Sequence, residues 1–222
     1  MPIGWQEWDW SQLRDTMAIE EPGVHATLEA CGLLKFFECP LIRAHEYLLQ
    51  FLIRMWSLDL HCFIVWGENI PFTAVEDVYF LTGLPFRGMP LSAEPVLPRE
   101  MTLVTIGQCY CSGENFMSGI VVSVSTIDSL AHHCIAAMIV RVYGSLATQR
   151  ISGGQLLVLE RVVVGREWFT WGLTLHARMI TQLDRCRSTG IGEFAFVSIL
   201  VAWFLERVLM LRSRVLLEAS RA

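Results

Sequence analysis

The chain has 222 residues, and its composition, 53% hydrophobic with only 18% charged residues, excludes a disordered tail and can supply one sizeable core. The net charge of −5 disfavours a broad phosphate-binding surface, because such a surface requires clustered Lys and Arg side chains. Lys35 is the only lysine and has no Gly-rich loop beside it, which disfavours both a pyridoxal-phosphate enzyme and a Walker-type nucleotide site.

The N-terminal quarter of the chain predicts an arm followed by helices. Residues 1–23 contain three tryptophans and are expected to form a Trp-rich N-terminal arm. Residues 25–37 fit a helix that is interrupted near Gly32. Residues 41–56 then follow a proline and repeat apolar side chains at helical spacing, which predicts a second, stronger helix.

Residues 61–88 predict a hairpin that leads into a capped helix. The apolar, β-branched and aromatic residues 61–66 suit a strand. Residues 67–69 contain the Gly and Asn that turns favour, and residues 70–72 return as a short second strand. Pro71 indicates that this second strand lies at a sheet edge, because proline cannot donate to the ladder.

The helix that follows the hairpin carries signals at both of its ends. Thr73 and Glu76 fit a capping box, in which each side chain accepts a hydrogen bond from the other residue's backbone amide. Asp77 adds negative charge near the helix N-terminus, and Gly83 fits a left-handed C-terminal cap before Pro85. These structural roles are sufficient for each residue, so none is assigned a catalytic role.

The second half of the chain is also predicted to be largely helical. Residues 89–117 are rich in proline and glycine and predict a long loop, and residues 119–125 favour a strand. The helices expected in this half are 128–146, 167–186 and 193–217. The predicted fold class is therefore mostly α: a helical domain with a small β-hairpin near residues 61–72.

No segment predicts a membrane span or a secretory leader. The longest apolar run, residues 194–205, is shorter than the roughly 20 residues that a spanning helix needs. The first 16 residues lack a basic start followed by an apolar run. The seven cysteines are scattered and odd in number, which favours reduced, mostly buried thiols inside the cell.

Four side chains come nearest to a metal site, and they form two short clusters. Cys109 and Cys111 make one, and His132 and Cys134 make the other. The spacing lacks the two to four residues usual between paired zinc ligands, and consecutive residues on a helix point about 100° apart. Buried thiols and a partly buried histidine are the favoured interpretation, and no cofactor is expected.

The arginines and tryptophans of the C-terminal half each allow a binding role beside a structural one. The arginines could form a phosphate-facing surface, although ordinary solvated helix faces are favoured. They are Arg141, Arg178, Arg185, Arg187, Arg207, Arg212 and Arg214. Trp168, Trp171 and Trp203 lie in apolar segments and are expected in the core, with an exposed aromatic groove for a partner peptide as the sharper alternative.

Three segments together resemble a known family. The first is the helix 48–56, which ends at a tryptophan and precedes a strand that begins with a histidine. The second is the part of residues 66–85 that contains most of the motif positions. The third is a helix that contains Trp-Gly, together with the apolar segment 194–202. The motif positions are Trp56, His61, Trp66, Gly67, Glu68, Thr73, Glu76, Asp77, Gly83, Leu84, Pro85, Trp171 and Gly172. In these residues the chain resembles the plant mobile domain family, also described as maintenance-of-meristems-like and historically labelled aminotransferase-like. The resemblance spans residues 24–215 and leaves residues 216–222 as a C-terminal tail.

The resemblance implies a non-enzymatic nuclear interaction module. It implies a role in meristem maintenance and in silencing of transposable elements, with a protein partner that could be phosphatase-like. A transposon-derived nucleic-acid-binding domain is the alternative, and it depends on the arginine excess in the C-terminal half. An enzyme would depend only on the family's historical label, and no catalytic residue is assigned.

Overall fold

The computed structural model describes part of the chain, and that part is mostly helical. The described residues are 22–38, 46–90, 101–102, 150–151, 161–162, 167–190, 194 and 196–208. The α-helices are α1 (Pro22–Ala30), α2 (Leu34–Glu38), α3 (Glu46–Met55), α4 (Phe80–Thr82), α5 (Trp171–Thr189) and α6 (Val197–Trp203). Two π-helices, π1 (Ala74–Tyr79) and π2 (Phe204–Val208), lie immediately before α4 and after α6. The strands are β1 (Trp56–Ser57), β2 (Cys62–Val65), β3 (Glu68–Pro71), β4 (Met101–Thr102) and β5 (Arg150–Ile151).

The predicted interruption near Gly32 is confirmed, and its geometry is that of a Schellman motif. Gly32 has a φ of 71°, and its amide donates to the Glu29 carbonyl at 2.9 Å. The Leu33 amide donates to the Leu28 carbonyl at 2.9 Å, which completes the paired hydrogen bonds of this helix ending. The chain therefore turns sharply between α1 and α2 and buries Leu28 and Leu33.

The predicted hairpin is confirmed, and it carries an additional strand. β1, β2 and β3 form an antiparallel sheet in that order, so β3 with its Pro71 lies at an edge, as predicted. The turn is shorter than residues 67–69. Trp66 and Gly67 have φ values of 52° and 83°, the positive values that a two-residue type I′ turn requires, and Glu68 already pairs with Val65.

The helix after the hairpin begins as a π-helix, and this changes its cap. The Thr73 hydroxyl accepts from the Glu76 amide at 3.2 Å, as predicted. The return hydrogen bond was wrongly assigned to Glu76: the Asp77 Oδ2 atom accepts from the Thr73 amide at 2.6 Å and from its hydroxyl at 3.1 Å. The Val78 amide bonds to the Thr73 carbonyl five residues back, and this wider turn places Asp77 over the cap. Gly83 closes the segment with a φ of 68°, which confirms the predicted cap.

The C-terminal helices begin later than the sequence predicts. α5 begins at Trp171 and not at residue 167, because the preceding residues pair with Met89. The Met89 amide donates to the Trp168 carbonyl at 2.9 Å, and the Thr170 amide donates to the Met89 carbonyl at 3.0 Å. Similarly, α6 begins at Val197 and not at residue 193, and the part of the predicted helix past residue 208 lies outside the described residues.

An aromatic cluster joins the sheet to the helices on either side. The Phe63 ring lies 4.9 Å from that of Trp56 and 4.4 Å from that of Trp203, and Phe72 approaches Trp203 edge-on at 5.8 Å. All four rings are buried. The buried core extends beyond these rings to residues of α1, α2, α3 and α5, and Val78 of π1 also belongs to it. The predicted arm up to residue 21, the predicted strand 119–125 and helix 128–146, and the tail 216–222 lie outside the described residues.

Candidate functional site

The motif residues at the end of the 61–88 stretch contact the motif residues at the start of α5. The Gly172 amide donates to the Pro85 carbonyl at 2.8 Å. A Cβ atom on Gly172 would lie 2.9 Å from the Leu84 carbonyl oxygen, a distance that side-chain carbons do not reach without displacing the backbone. Trp171 and Leu84 are both fully buried beside this contact. These four motif positions therefore form one packing interface, in which glycine is required by the close approach of two backbones.

The three C-terminal tryptophans have different environments. Trp171 and Trp203 are buried in the core, as the favoured interpretation predicts. Trp168 lies before α5, is 52% exposed, and donates its indole N–H to the Ala30 carbonyl at 2.9 Å. Among the described residues the Trp171 ring therefore lines no exposed groove, and Trp168 has a structural contact of its own that ties α5 to α1.

A second group of motif residues meets α5 near its middle. The Trp56 indole N–H donates to Asp184 Oδ1 at 2.7 Å, and the His61 Nε2 atom lies 3.4 Å from Asp184 Oδ2. The His61 ring also stacks on the Trp56 indole, with ring centres 6.3 Å apart and planes 19° apart. Asp184 thus holds the two residues that flank the β1–β2 turn, and we refer to these three residues as the hairpin anchor.

A third group joins π1 to π2 through a buried carboxylate. Asp77 is 2% exposed, and its Oδ1 atom accepts from the Arg207 Nε at 2.8 Å. Its Oδ2 atom accepts the two hydrogen bonds from Thr73, so both oxygens are satisfied. Arg207 also donates from NH2 to Glu76 at 3.0 Å, and the hydrogen bond to Glu76 with the charge of Asp77 raises the pKa of the guanidinium. We refer to Thr73, Glu76, Asp77 and Arg207 as the π1 anchor.

An open cavity of about 290 Å³ lies beside the π1 anchor. It is lined by Glu76, Asp77, Phe80, Leu81, Trp203, Glu206 and Arg207. Phe80 is 77% exposed, the most exposed large hydrophobic residue among those described. Val75 and Tyr79, on the same short helical segment, are also exposed. The cavity therefore combines an apolar wall with charged groups, and exposed apolar side chains lie on the same helical segment.

The remaining motif residues form the exposed end of the hairpin. Trp66 and Gly67 make the turn, and Glu68 starts β3 with its side chain exposed. Among the described residues, the side chains of Trp66 and Glu68 have no hydrogen bond or ion pair. The contribution that the structure shows for these three positions is the turn geometry.

The four weak metal candidates, Cys109, Cys111, His132 and Cys134, lie outside the described residues. Within the described ranges, no group of three or more His, Cys, Asp or Glu side chains could hold a metal ion. Cys31, Cys62 and Cys186 are buried free thiols, which agrees with the expectation for those three positions. Burial raises the pKa of the Cys186 thiol, and the charge of Arg185 opposes this only partly, so the thiol stays protonated at neutral pH.

Sequence reasoning missed the partners that make these sites. The sequence predicts a solvated helix face for Arg207, with a phosphate contact as the alternative, and gives no signal for Asp184. The signal for the Asp77–Arg207 pair was weak, because the two residues are 130 positions apart and the π-helical register that buries Asp77 has no simple sequence pattern. Glu206 and Arg207 interrupt an apolar run. This interruption is the one sequence feature that indicates a charged contact from another element at this position.

None of the helices within the described ranges is both long enough and apolar enough to cross a membrane. Comparison with protein-family models, with curated proteins and with solved structures found no match for this chain.

Proposed function

We propose that the chain is a non-enzymatic nuclear interaction module of the plant mobile domain type. Its implied role is in meristem maintenance and in silencing of transposable elements. The observation that supports it most directly is the exposed apolar surface of Val75, Tyr79 and Phe80 on a segment that the π1 anchor holds in place. Apolar side chains that are held exposed beside a cavity are typical of protein-binding surfaces.

The roles of the motif residues also support a binding role over a catalytic one. Asp77 has both oxygens occupied by Thr73 and Arg207, and Glu76 is paired with Arg207. His61 is paired with Asp184 next to an exposed turn. A general acid or base needs an accessible proton position near a bound substrate, and these groups are engaged in holding elements together. The proposal therefore assigns the motif to scaffolding and the exposed surface to recognition.

The alternative, a nucleic-acid-binding domain, is weakened at two of the described arginines, whereas Arg185 and Arg187 are exposed on α5. Arg207 is neutralised by Asp77 and Glu76, and Arg161 is paired with Glu167 at 2.7 Å. Arg141, Arg212 and Arg214 lie outside the described residues. A gel-shift titration at low salt tests this alternative, because phosphate contacts are strongest there. Tight binding at low salt that weakens steeply with added salt would favour it over the protein-binding proposal.

The proposal is tested by recovering the partner from plant nuclei. An epitope-tagged full chain is expressed in meristem tissue, and proteins that co-purify from nuclear extract are identified by mass spectrometry against a tag-only control. We expect nuclear accumulation and specific recovery of a phosphatase-like or chromatin-associated protein. Exclusion of the chain from the nucleus, or recovery of neither class of protein, would contradict the proposal.

A further inference from the structure

The cavity beside the π1 anchor has an excess of negative charge. Its lining includes three carboxylates, Glu76, Asp77 and Glu206, and one guanidinium, Arg207. Arg207 is shared between Asp77 and Glu76. Glu206 is exposed and has no ion pair within the described residues. A cationic group entering the cavity would therefore meet an acid that is not already neutralised, whereas an anionic group would meet repulsion.

The apolar wall suits the stem of a long basic side chain. Phe80, Leu81 and Trp203 line the cavity together with these acids. Arg and Lys bury their methylene groups along apolar surface and keep the charged head near polar groups. The Phe80 ring, at 77% exposure, can also receive a guanidinium over its face. Aromatic and acidic residues at one cavity are thus complementary to arginine or lysine.

The size of the cavity limits what it can hold. At about 290 Å³ it lies at the lower end of the range for small-molecule sites, which is roughly 300–1,000 Å³. That volume accommodates one long side chain rather than a nucleotide or a large cofactor. The exposed Val75 and Tyr79 lie on the segment that leads to Phe80. If an Arg or Lys of a peptide enters the cavity, an apolar neighbour of that residue could therefore pack on these exposed side chains.

We propose that this cavity binds an arginine or lysine side chain of a partner peptide, with an apolar neighbour of that residue resting on Val75, Tyr79 and Phe80. The inference rests on the proposed function, because it names the partner chemistry of the interaction module. The basic side chain pairs with Glu206 and lies along Phe80, and the π1 anchor holds both walls at a fixed separation.

The test uses phage-displayed random dodecapeptides selected against the purified full chain. We expect enriched peptides to contain Arg or Lys next to an aromatic or aliphatic residue. Synthetic copies of an enriched peptide should bind the Phe80→Ala and Glu206→Arg variants about tenfold more weakly, which corresponds to the loss of one good side-chain contact. Tyr47→Ala and Glu68→Arg are the matched controls, because Tyr47 is 76% exposed, Glu68 is exposed, and neither lines the cavity. Both controls should bind like the parent chain.

A charge exchange makes the result independent of folding defects. Replacing the basic residue of the peptide by Glu should abolish binding to the parent chain and restore it to the Glu206→Arg variant. The proposal is overturned if no peptide is enriched, if the enriched peptides are acidic, or if binding is insensitive to Phe80→Ala and Glu206→Arg.

The same variants separate this inference from the proposed function. A nuclear partner that is recovered equally well by the parent chain and by both variants would leave the interaction module standing and overturn this surface. Peptides that bind through Phe80 and Glu206, without any nuclear phosphatase-like or chromatin partner, would overturn the nuclear role and leave the cavity's specificity standing.

Discussion

Two acid contacts tie the 56–90 region to the C-terminal helices, and they differ most in burial. At the π1 anchor, Asp77 is 2% exposed and uses both oxygens. At the hairpin anchor, the Asp184 and His61 side chains are 33% and 59% exposed. Both contacts join residues more than 120 positions apart. This difference in burial predicts a difference in stabilisation, because water solvates an exposed pair well and leaves a buried carboxylate dependent on its partners.

The largest effect is expected at the buried end of this comparison. Asp77→Ala should lower the free energy of unfolding by about 3 kcal/mol, because it leaves the Nε of Arg207 and the Thr73 amide without their acceptor. We place the value at the lower end of the range for broken buried pairs, since the Arg207 side chain is 41% exposed. Urea denaturation followed by circular dichroism measures it. Glu76→Gln, at a 69% exposed side chain, is the control and should cost less than about 1 kcal/mol. Equal losses for the two variants would remove the distinction between buried and exposed contacts.

A smaller effect is expected between the two anchors, where backbones meet without charge. Gly172→Ala should destabilise the fold by about 1–2 kcal/mol, because the new methyl group would press on the Leu84 and Pro85 carbonyl oxygens. The better helix propensity of alanine offsets up to about 1 kcal/mol of the strain. Thermal unfolding measures the difference, with Leu173→Ala at the neighbouring exposed position as control. A variant more stable than the parent chain would show that α5 can move away from Pro85 at little cost.

At the hairpin anchor, the hydrogen bond from Trp56 should matter more than the ion pair. Trp56→Phe retains most of the buried ring and removes the N–H that donates to Asp184 at 2.7 Å. We expect a loss of about 1–1.5 kcal/mol, limited by the access of water to the half-exposed carboxylate. Asn at position 184 keeps a side-chain oxygen that can accept from the Trp56 N–H. We therefore expect Trp56→Phe to cost about the same in an Asp184→Asn background, and a double-mutant cycle measures the coupling between the two residues. A loss above 3 kcal/mol would indicate that packing of the ring, rather than its N–H, is the main contribution.

The smallest effect is expected at the exposed contact between His61 and Asp184. His61→Gln should change the free energy of unfolding by less than about 0.5 kcal/mol, because exposed pairs are solvated and screened. The comparison with Asp77→Ala is made by urea denaturation under identical buffer and salt. A cost as large as that of Asp77→Ala would mean that the stacking of His61 on Trp56 has been underestimated.

How well each part of this fold can be predicted depends on how far apart in the sequence its interacting residues lie. The helix break at Gly32, the hairpin, the edge position of Pro71 and the Gly83 cap depend on residues close in sequence, and all were predicted. The turn begins one residue and ends two residues earlier than predicted because Trp66 adopts a positive φ, and the capping acceptor is one residue later because π1 is wound with an i→i+5 bond. The anchors depend on Asp184 and Arg207, whose contacts with the 56–90 region cross more than 120 residues and have no local pattern. The cavity depends on these same long-range contacts, and so it could not be located from the sequence.

Residues 73–83 begin as a π-helix, and the side chains that this segment exposes therefore depend on its number of residues. A π-turn contains about one residue more than an α-turn, and each residue of an α-helix advances the chain by about 100°. Deleting one residue between Thr73 and Val78 would let ordinary helical winding resume. The side chains up to Gly83 would then rotate by about that angle, which would move Phe80 away from its exposed position and take Asp77 from Arg207. The exposed position of Phe80 and the buried ion pair thus depend on the same extra residue, so a one-codon deletion is expected to disrupt both together.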